Sequence, residues 1–176
     1  VAAIRASRAE LMCRGVANGQ DLEPMIERAD SLAIGPGLGR DAWGQELLDK
    51  ALLSDKPTVI DADALNLLSH APRANSQWIL TPHPGEAGRL LGISTAEVQS
   101  NRLRAAQELA KRFAGTVVLK GAGTLVVTND CLPSISDQRN PGMASPGMGD
   151  VRTGVIAGIA AQTADLPGAA RVGVLV

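Results

Sequence analysis

The segment NPGMASPGMGD (140–150) holds the residue types best suited to chemistry in this chain, and it runs straight into a stretch of helical character. Glycines let a backbone turn its N–H groups toward an anion, and the positive end of a helix dipole adds to that pull. The N–H groups around Gly147, Met148 and Gly149 therefore form a candidate anion hole. An acid at the mouth of such a site repels bound phosphate. Asp150 makes sense there as a base that takes a proton from a substrate hydroxyl while the neighbouring N–H groups hold the developing charge. The alternative is that Asp150 only caps the helix.

A second segment, KGAGT (120–124), follows an apolar run. Its glycines permit a flat ring or a phosphate to approach the main chain, and Lys120 can meet phosphate as a point charge; an ordinary β-turn is the alternative. His83 sits between two prolines that partly fix the loop, with Glu86 three residues on, which suggests a placed ligand contact as much as a plain surface histidine. Asp61 and Asp63 alternate at a strand end, where both could approach a Mg–nucleotide or where Asp63 could cap a helix. Gly37, in GPGLG (35–39), would let substrate lie against backbone. Neither G-x-x-x-x-G-K-[ST] nor G-x-G-x-x-G occurs, which disfavours a P-loop enzyme and a hydride-transferring Rossmann enzyme. Trp43, Trp78 and Phe113 are the only aromatics and read as core.

These groups need a frame. Apolar periodicity predicts helices over about 21–29, 41–53, 64–69, 94–112, 148–161 and from about Pro167 onward. Asp41 is a plausible N-cap, with Trp43, Leu47, Leu48 and Leu52 as an apolar stripe. Ser94 and Glu97 have capping-box spacing, and Val98, Leu103, Ala106 and Leu109 form the buried face of that helix. Short strands fall at 31–34, 58–60, 78–80, 116–119 and 125–127, the last two as a hairpin. Alternating strands and helices argue for an α/β fold with a mostly parallel sheet covered on both faces. Ligands in such folds bind beyond the carboxyl ends of the strands, so residues 35–39, 61–66, 81–86, 120–124 and 140–150 are expected at one rim.

The bulk composition removes several classes of partner. Seventeen Lys and Arg stand against eighteen Asp and Glu with no long block of one sign, so neither nucleic acid nor an anionic membrane surface is indicated. Cys13 and Cys131 lack metal-ligand spacing. No run approaches a membrane span and the N-terminus lacks signal-peptide order, which predicts a soluble, cytoplasmic protein. The 176 residues read as a single domain.

Taken in order, IGPGLGRD (34–41), DADALNLL (61–68), TPHPGEAGRLLG (81–92), VVLKGAGTLV (117–126) and NPGMASPGMGDVRTG (140–154) resemble the NAD(P)H-hydrate dehydratase family over roughly residues 25–165. The resemblance implies a ribokinase-like fold and a lyase that uses ADP, or ATP, to return the (6S) hydrate of NADH or NADPH to the reduced cofactor, a metabolite repair. Bacterial members generally use ADP and eukaryotic members ATP, and Mg2+ accompanies the nucleotide. By resemblance Gly37, His83 and Asp150 contact the hydrate, while Lys120, Gly121, Ala122, Gly123, Thr124 and Gly149 contact the nucleotide. The family further implies that this chain is a partial domain, lacking N-terminal strands and C-terminal helices, and that the complete protein is a homo-oligomer that can be fused to an epimerase.

Three residues depart from the family pattern. Pro146 replaces a usual glycine and removes one N–H from the phosphate loop, Arg152 stands at an apolar position one turn into the helix, and Arg139 precedes the Asn-Pro-Gly run where glycine is usual. Losing one oxyanion donor can cost roughly 10²–10³ in rate. Two rival readings follow: a ribokinase-like small-molecule kinase that leaves phosphate on its product, and a catalytically silent nucleotide-binding fragment.

Overall fold

The inner strands are short apolar runs buried along their whole length, and successive side chains enter two cores on the two faces of one sheet. The computed structural model describes residues 10–136 and 147–175. Helix α1 (Gly19–Arg28) starts where the Asn18 side chain accepts the Asp21 N–H, and β1 (Leu32–Ile34) follows. Helix α2 (Ala42–Leu52) is capped by Asp41, whose carboxylate accepts the Gly44 N–H, as expected from sequence. Next come β2 (Thr58–Ile60), α3 (Ala62–His70), β3 (Trp78–Leu80), α4 (Pro84–Leu91), α5 (Thr95–Ser100) and α6 (Arg102–Phe113). The chain then runs through β4 (Thr116–Leu119), β5 (Thr124–Val127), β6 (Ser134–Ser136), α7 (Met148–Ala160) and α8 (Leu166–Gly173).

The six strands lie side by side in chain order, parallel from β1 to β4 and antiparallel from β4 to β6. Register aligns Ile60 with Leu80 and Leu80 with Val117. Those residues, with Trp78, Leu119 and Leu125, share a core with α2, α3, α4 and α6. The alternate residues Val59, Ile79, Val118 and Val126 point to the other face and pack on Ile156, Ala160, Leu166 and Ala170 of α7 and α8. Period-two side chains in a sheet covered on both sides give this partition. No helix among the described residues is long and apolar enough to cross a membrane.

The structure departs from the expected elements at several places. The long helix over 94–112 is two helices, because Asn101 leaves helical geometry and its side chain accepts the Arg104 N–H, ending α5 and capping α6 together. With the frame shifted, Leu103 is 42% exposed and does not join the buried face. The stretch after His83 is not only a loop: His83 occupies the N-cap position of α4, Pro84 takes the first helical position, and Glu86 completes a capping box. Helix α3 begins two residues earlier than expected, at Ala62, and β6 adds an edge strand that its single apolar residue, Ile135, did not signal.

Candidate functional site

Four loops leave the carboxyl ends of β1 to β4 on one rim, and a buried carboxylate joins them to α7. Asp61, at the end of β2, is 1% exposed. Its Oδ1 accepts a hydrogen bond from Lys120 Nζ at 2.7 Å, and its Oδ2 accepts one from Thr153 Oγ1 at 2.7 Å. Lys120 Nζ also stands 3.9 Å from Glu86 Oε2, and its own N–H donates to the Pro82 carbonyl at 2.8 Å. One cluster thus binds the ends of β2, β3 and β4 to the second turn of α7. Backbone strain marks the same place: Ala62 adopts φ 47°, left-handed for a residue with a side chain. Gly35 is required here, since a Cβ would lie 1.7 Å from the Asp61 carbonyl oxygen.

His83 Nδ1 accepts the Gly85 and Glu86 N–H groups at 3.0 and 3.4 Å, while Glu86 Oε2 accepts the His83 N–H at 2.8 Å. An Nδ1 that accepts leaves the ring proton on Nε2, and this half-exposed nitrogen stands 3.4 Å from Glu86 Oε1. Asp63 neither caps α3 nor faces Lys120. Its Oδ2 accepts the Gly39 N–H at 3.0 Å and so ties the glycine loop after β1 to α3.

Gly35, Gly37, Trp43, Asp150 and Thr153 line an open cleft of about 390 Å³. Ligand pockets commonly fall between about 300 and 1,000 Å³. Trp43, expected in the core, is 38% exposed and contributes to this wall. Asp150, Thr153 and Gly154 lie three and four residues apart on α7 and so share the face that looks into the cleft. That spacing could have singled out Thr153 from sequence alone. A larger groove of about 530 Å³ runs between α4, α5 and α6, lined by Leu91, Glu97, Arg104 and Arg112, and no rim residue contributes to it.

At the start of α7, Gly147 is the N-cap at φ 87°, and no side chain caps the helix end. The first N–H groups, from Met148, Gly149 and Asp150, are therefore not used by an N-cap side chain. A Cβ on Gly149 would lie 3.7 Å from Lys120 Nζ and 3.9 Å from Asp61 Oδ2, which sets the ammonium against the positive end of the helix. Asp150 is exposed. Residues 120–124 turn from β4 into β5 at the same rim, with Gly121 at φ 143° and Gly123 at φ 71°. Arg152 is half-buried, and its Nε is enclosed with no hydrogen-bond partner, in line with the expected cost of a charge at that position. Arg139, Asn140 and Pro146 lie outside the described residues. Among the described residues no group of three or more His, Cys, Asp or Glu side chains could hold a metal ion.

A mixed sheet, parallel from β1 to β4 and covered by helices on both faces, with a helix start between two glycines at its rim, fits a ribokinase-like α/β domain. The chain superposes with a TM-score of 0.84 on a ribokinase-like superfamily protein from Enterococcus faecalis, at 28% identity, covering 98% of this chain and 62% of that one. The family model for NAD(P)H-hydrate dehydratase matches residues 1–176, and the chain belongs to that family. It is 48% identical over 169 residues to the bifunctional NAD(P)H-hydrate repair enzyme of Coxiella burnetii, covering 96% of this chain and 35% of that relative. The chain thus spans about a third of the relative's length. The ADP/ATP-dependent NAD(P)H-hydrate dehydratase of Bacillus subtilis, co-crystallised with ATP and Mg2+, matches with a TM-score of 0.73 and 32% identity over 85% of this chain and 57% of that one.

Proposed function

We propose that this chain performs the nucleotide-driven dehydration of the (6S) hydrate of NADH or NADPH, with ADP or ATP as cosubstrate. One observation carries the reading: an exposed acid, Asp150, lines a cleft at the very helix start where Lys120 Nζ and an uncapped turn of N–H groups converge. An anion hole with an acid at its mouth suits phosphoryl transfer to a hydroxyl better than simple phosphate binding.

In this mechanism Asp150 takes the proton of the hydrate hydroxyl, whose oxygen attacks the terminal phosphorus of the nucleotide. The bond from that phosphorus to the bridging oxygen breaks, releasing AMP from ADP, or ADP from ATP. The N–H groups of Met148 and Gly149 hold the charge that develops on the transferring phosphoryl group. The ring nitrogen's lone pair then expels phosphate from carbon, and loss of a proton from the adjacent ring carbon restores the reduced nicotinamide. Gly37 would give the hydrate backbone to lie on, and His83, whose Nε2 also stands 3.4 Å from Glu86 Oε1, would meet it with its half-exposed edge. Lys120, Gly121, Ala122, Gly123, Thr124 and Gly149 would meet the nucleotide. Magnesium is usually held by phosphates and one or two carboxylates, so here it would arrive with the nucleotide. It would supply charge neutralisation on the phosphates. On this reading the complete protein works as a bifunctional repair enzyme.

The test is chemically hydrated NADH incubated with ADP and ATP side by side. Return of reduced-nicotinamide absorbance together with phosphate release supports the dehydratase; a stable phosphorylated alcohol would assign a kinase instead, and nucleotide binding without turnover a silent fragment. Asp150→Asn should cut turnover about 10²-fold while leaving nucleotide affinity near that of the parent.

A further inference from the structure

Arg102, the first residue of α6, reaches across to the turn between β4 and β5 and gathers its carbonyls. Nη1 donates to the Ala122 oxygen at 2.5 Å, and Nη2 donates to the Leu119 and Lys120 oxygens at 3.1 and 3.3 Å. The guanidinium also covers Gly121, where a Cβ would lie 2.9 Å from Nη2. In a planar trans peptide the N–H points opposite to the C=O. Pulling the Lys120 and Ala122 carbonyls toward Arg102 therefore turns the N–H groups of Gly121 and Gly123 away from it. The peptide of the Leu119 carbonyl is the exception, because its N–H, that of Lys120, is already given to Pro82.

We propose that Arg102 is a positioning residue of the nucleotide site, holding the Gly121 and Gly123 N–H groups outward for the phosphates of a nucleoside diphosphate. The inference rests on the reading that residues 120–124 meet the nucleotide. Holding the hairpin together does not require this arginine, since the pairs Val117 with Val127, Val118 with Val126 and Leu119 with Leu125 already fix its register. The arrangement is also costly for a purely structural contact: burial pushes the guanidinium pKa below its usual value, and Nε is enclosed with no hydrogen-bond partner. Two nitrogens of one planar guanidinium meet three carbonyls from fixed positions, a geometry that the single nitrogen of a lysine does not reproduce.

The experiment compares ADP and adenosine affinities by calorimetry for the parent chain, Arg102→Met and Arg102→Lys, with a thermal melt on each. Both variants should bind ADP about tenfold or more weaker, through loss of charge-assisted contacts that shape the loop, and should keep adenosine affinity. Where hydrate turnover is measurable, KM for ADP should rise with kcat within a few-fold. ADP affinity unchanged in either folded variant overturns the proposal, and so does an equal loss for adenosine, which marks general loosening of the loop. A parent chain that binds no ADP overturns the nucleotide reading itself, and this assignment with it. Should the Met variant fail to fold, the Lys variant alone decides, because it keeps the cation and loses only the fork.

Discussion

Replacing Asp61 with Ala removes the acceptor that Lys120 Nζ and Thr153 Oγ1 share, each at 2.7 Å. Lys120 has 18% of its side chain exposed, so its charge is mostly out of water and cannot simply be rehydrated in place. Breaking a buried pair from one side costs roughly 3–5 kcal/mol, and leaving a buried hydroxyl without its partner about 1–3 kcal/mol. The two losses overlap, and Glu86 Oε2 at 3.9 Å takes up part of the ammonium's charge, so the low end applies, about 3 kcal/mol. In a domain of this size that is a fall in Tm of roughly 6–12 °C. Urea unfolding followed by far-UV circular dichroism gives the free energy directly. The double variant Asp61→Ala with Lys120→Met removes both charges, and it should be less damaged than the sum of the singles by about 1.5 kcal/mol or more. A single-variant loss under about 1 kcal/mol, or strict additivity, would refute the claim that this pair fastens β2 and β4 to α7.

Gly92 ends α4 at φ 74° with open space where a Cβ would go, so Gly92→Ala should cost about 1 kcal/mol from backbone strain alone, read in a thermal melt. Gly37 is equally open at φ 65°, and Gly37→Ala should show the same modest strain, about 1 kcal/mol, while its methyl raises KM for the hydrate. Glu97 has its carboxyl pKa held below the usual range by the Ser94 hydroxyl and then by the Ser94 N–H. Ser94→Ala should raise it toward the ordinary value in a carbon-detected NMR titration. The folded pKa lies below the unfolded one, so this cap's contribution is complete above the ordinary carboxylate range and is lost as pH falls through the lowered folded value.

Sequence periodicity located five of the six strands and placed the loops after β1 to β4 on one rim, because a doubly covered sheet leaves the chain few options. What it could not reach were contacts between segments distant in the chain. Lys120 suggested a phosphate partner, and the structure gives its ammonium to Asp61, fifty-nine residues away. Nothing local to KGAGT announces that partner, nor Arg102 at the start of the preceding helix. Lys120→Ala is consequently a poor probe of nucleotide binding, since it strands a buried carboxylate as well. The helix break at Asn101 was missed for a different reason. Asparagine mid-pattern is compatible with a continuous amphipathic helix until its side chain takes the Arg104 N–H, a choice made by tertiary packing. His83 looked like a loop residue because histidine is an unusual N-cap, although Glu86 three residues later carried half of the capping-box signal.

The two aspartates at the rim differ in surroundings, and the difference separates what each can do. Asp61 is buried with both oxygens already bonded, to Lys120 and to Thr153, so it organises the rim. Asp150 is exposed on the cleft at a helix start. Pairs of like groups driven into unlike roles by environment are a recurring way of assigning acid, base and structural carboxylates. The same cluster limits what Lys120 offers. One ammonium faces two carboxylates, Asp61 and Glu86, so its charge is already offset before any nucleotide arrives. On the proposed nucleotide reading, attraction for a polyphosphate at this rim would then come mainly from backbone: the first turn of α7, the N–H groups of Gly121 and Gly123, and any cation the nucleotide brings. A site that relies on main-chain donors tolerates changes of surface charge and is sensitive to loss of a single N–H. On the proposed reading, Pro146 is therefore the departure from the family pattern expected to bear most on turnover, because proline brings no N–H to the segment before α7.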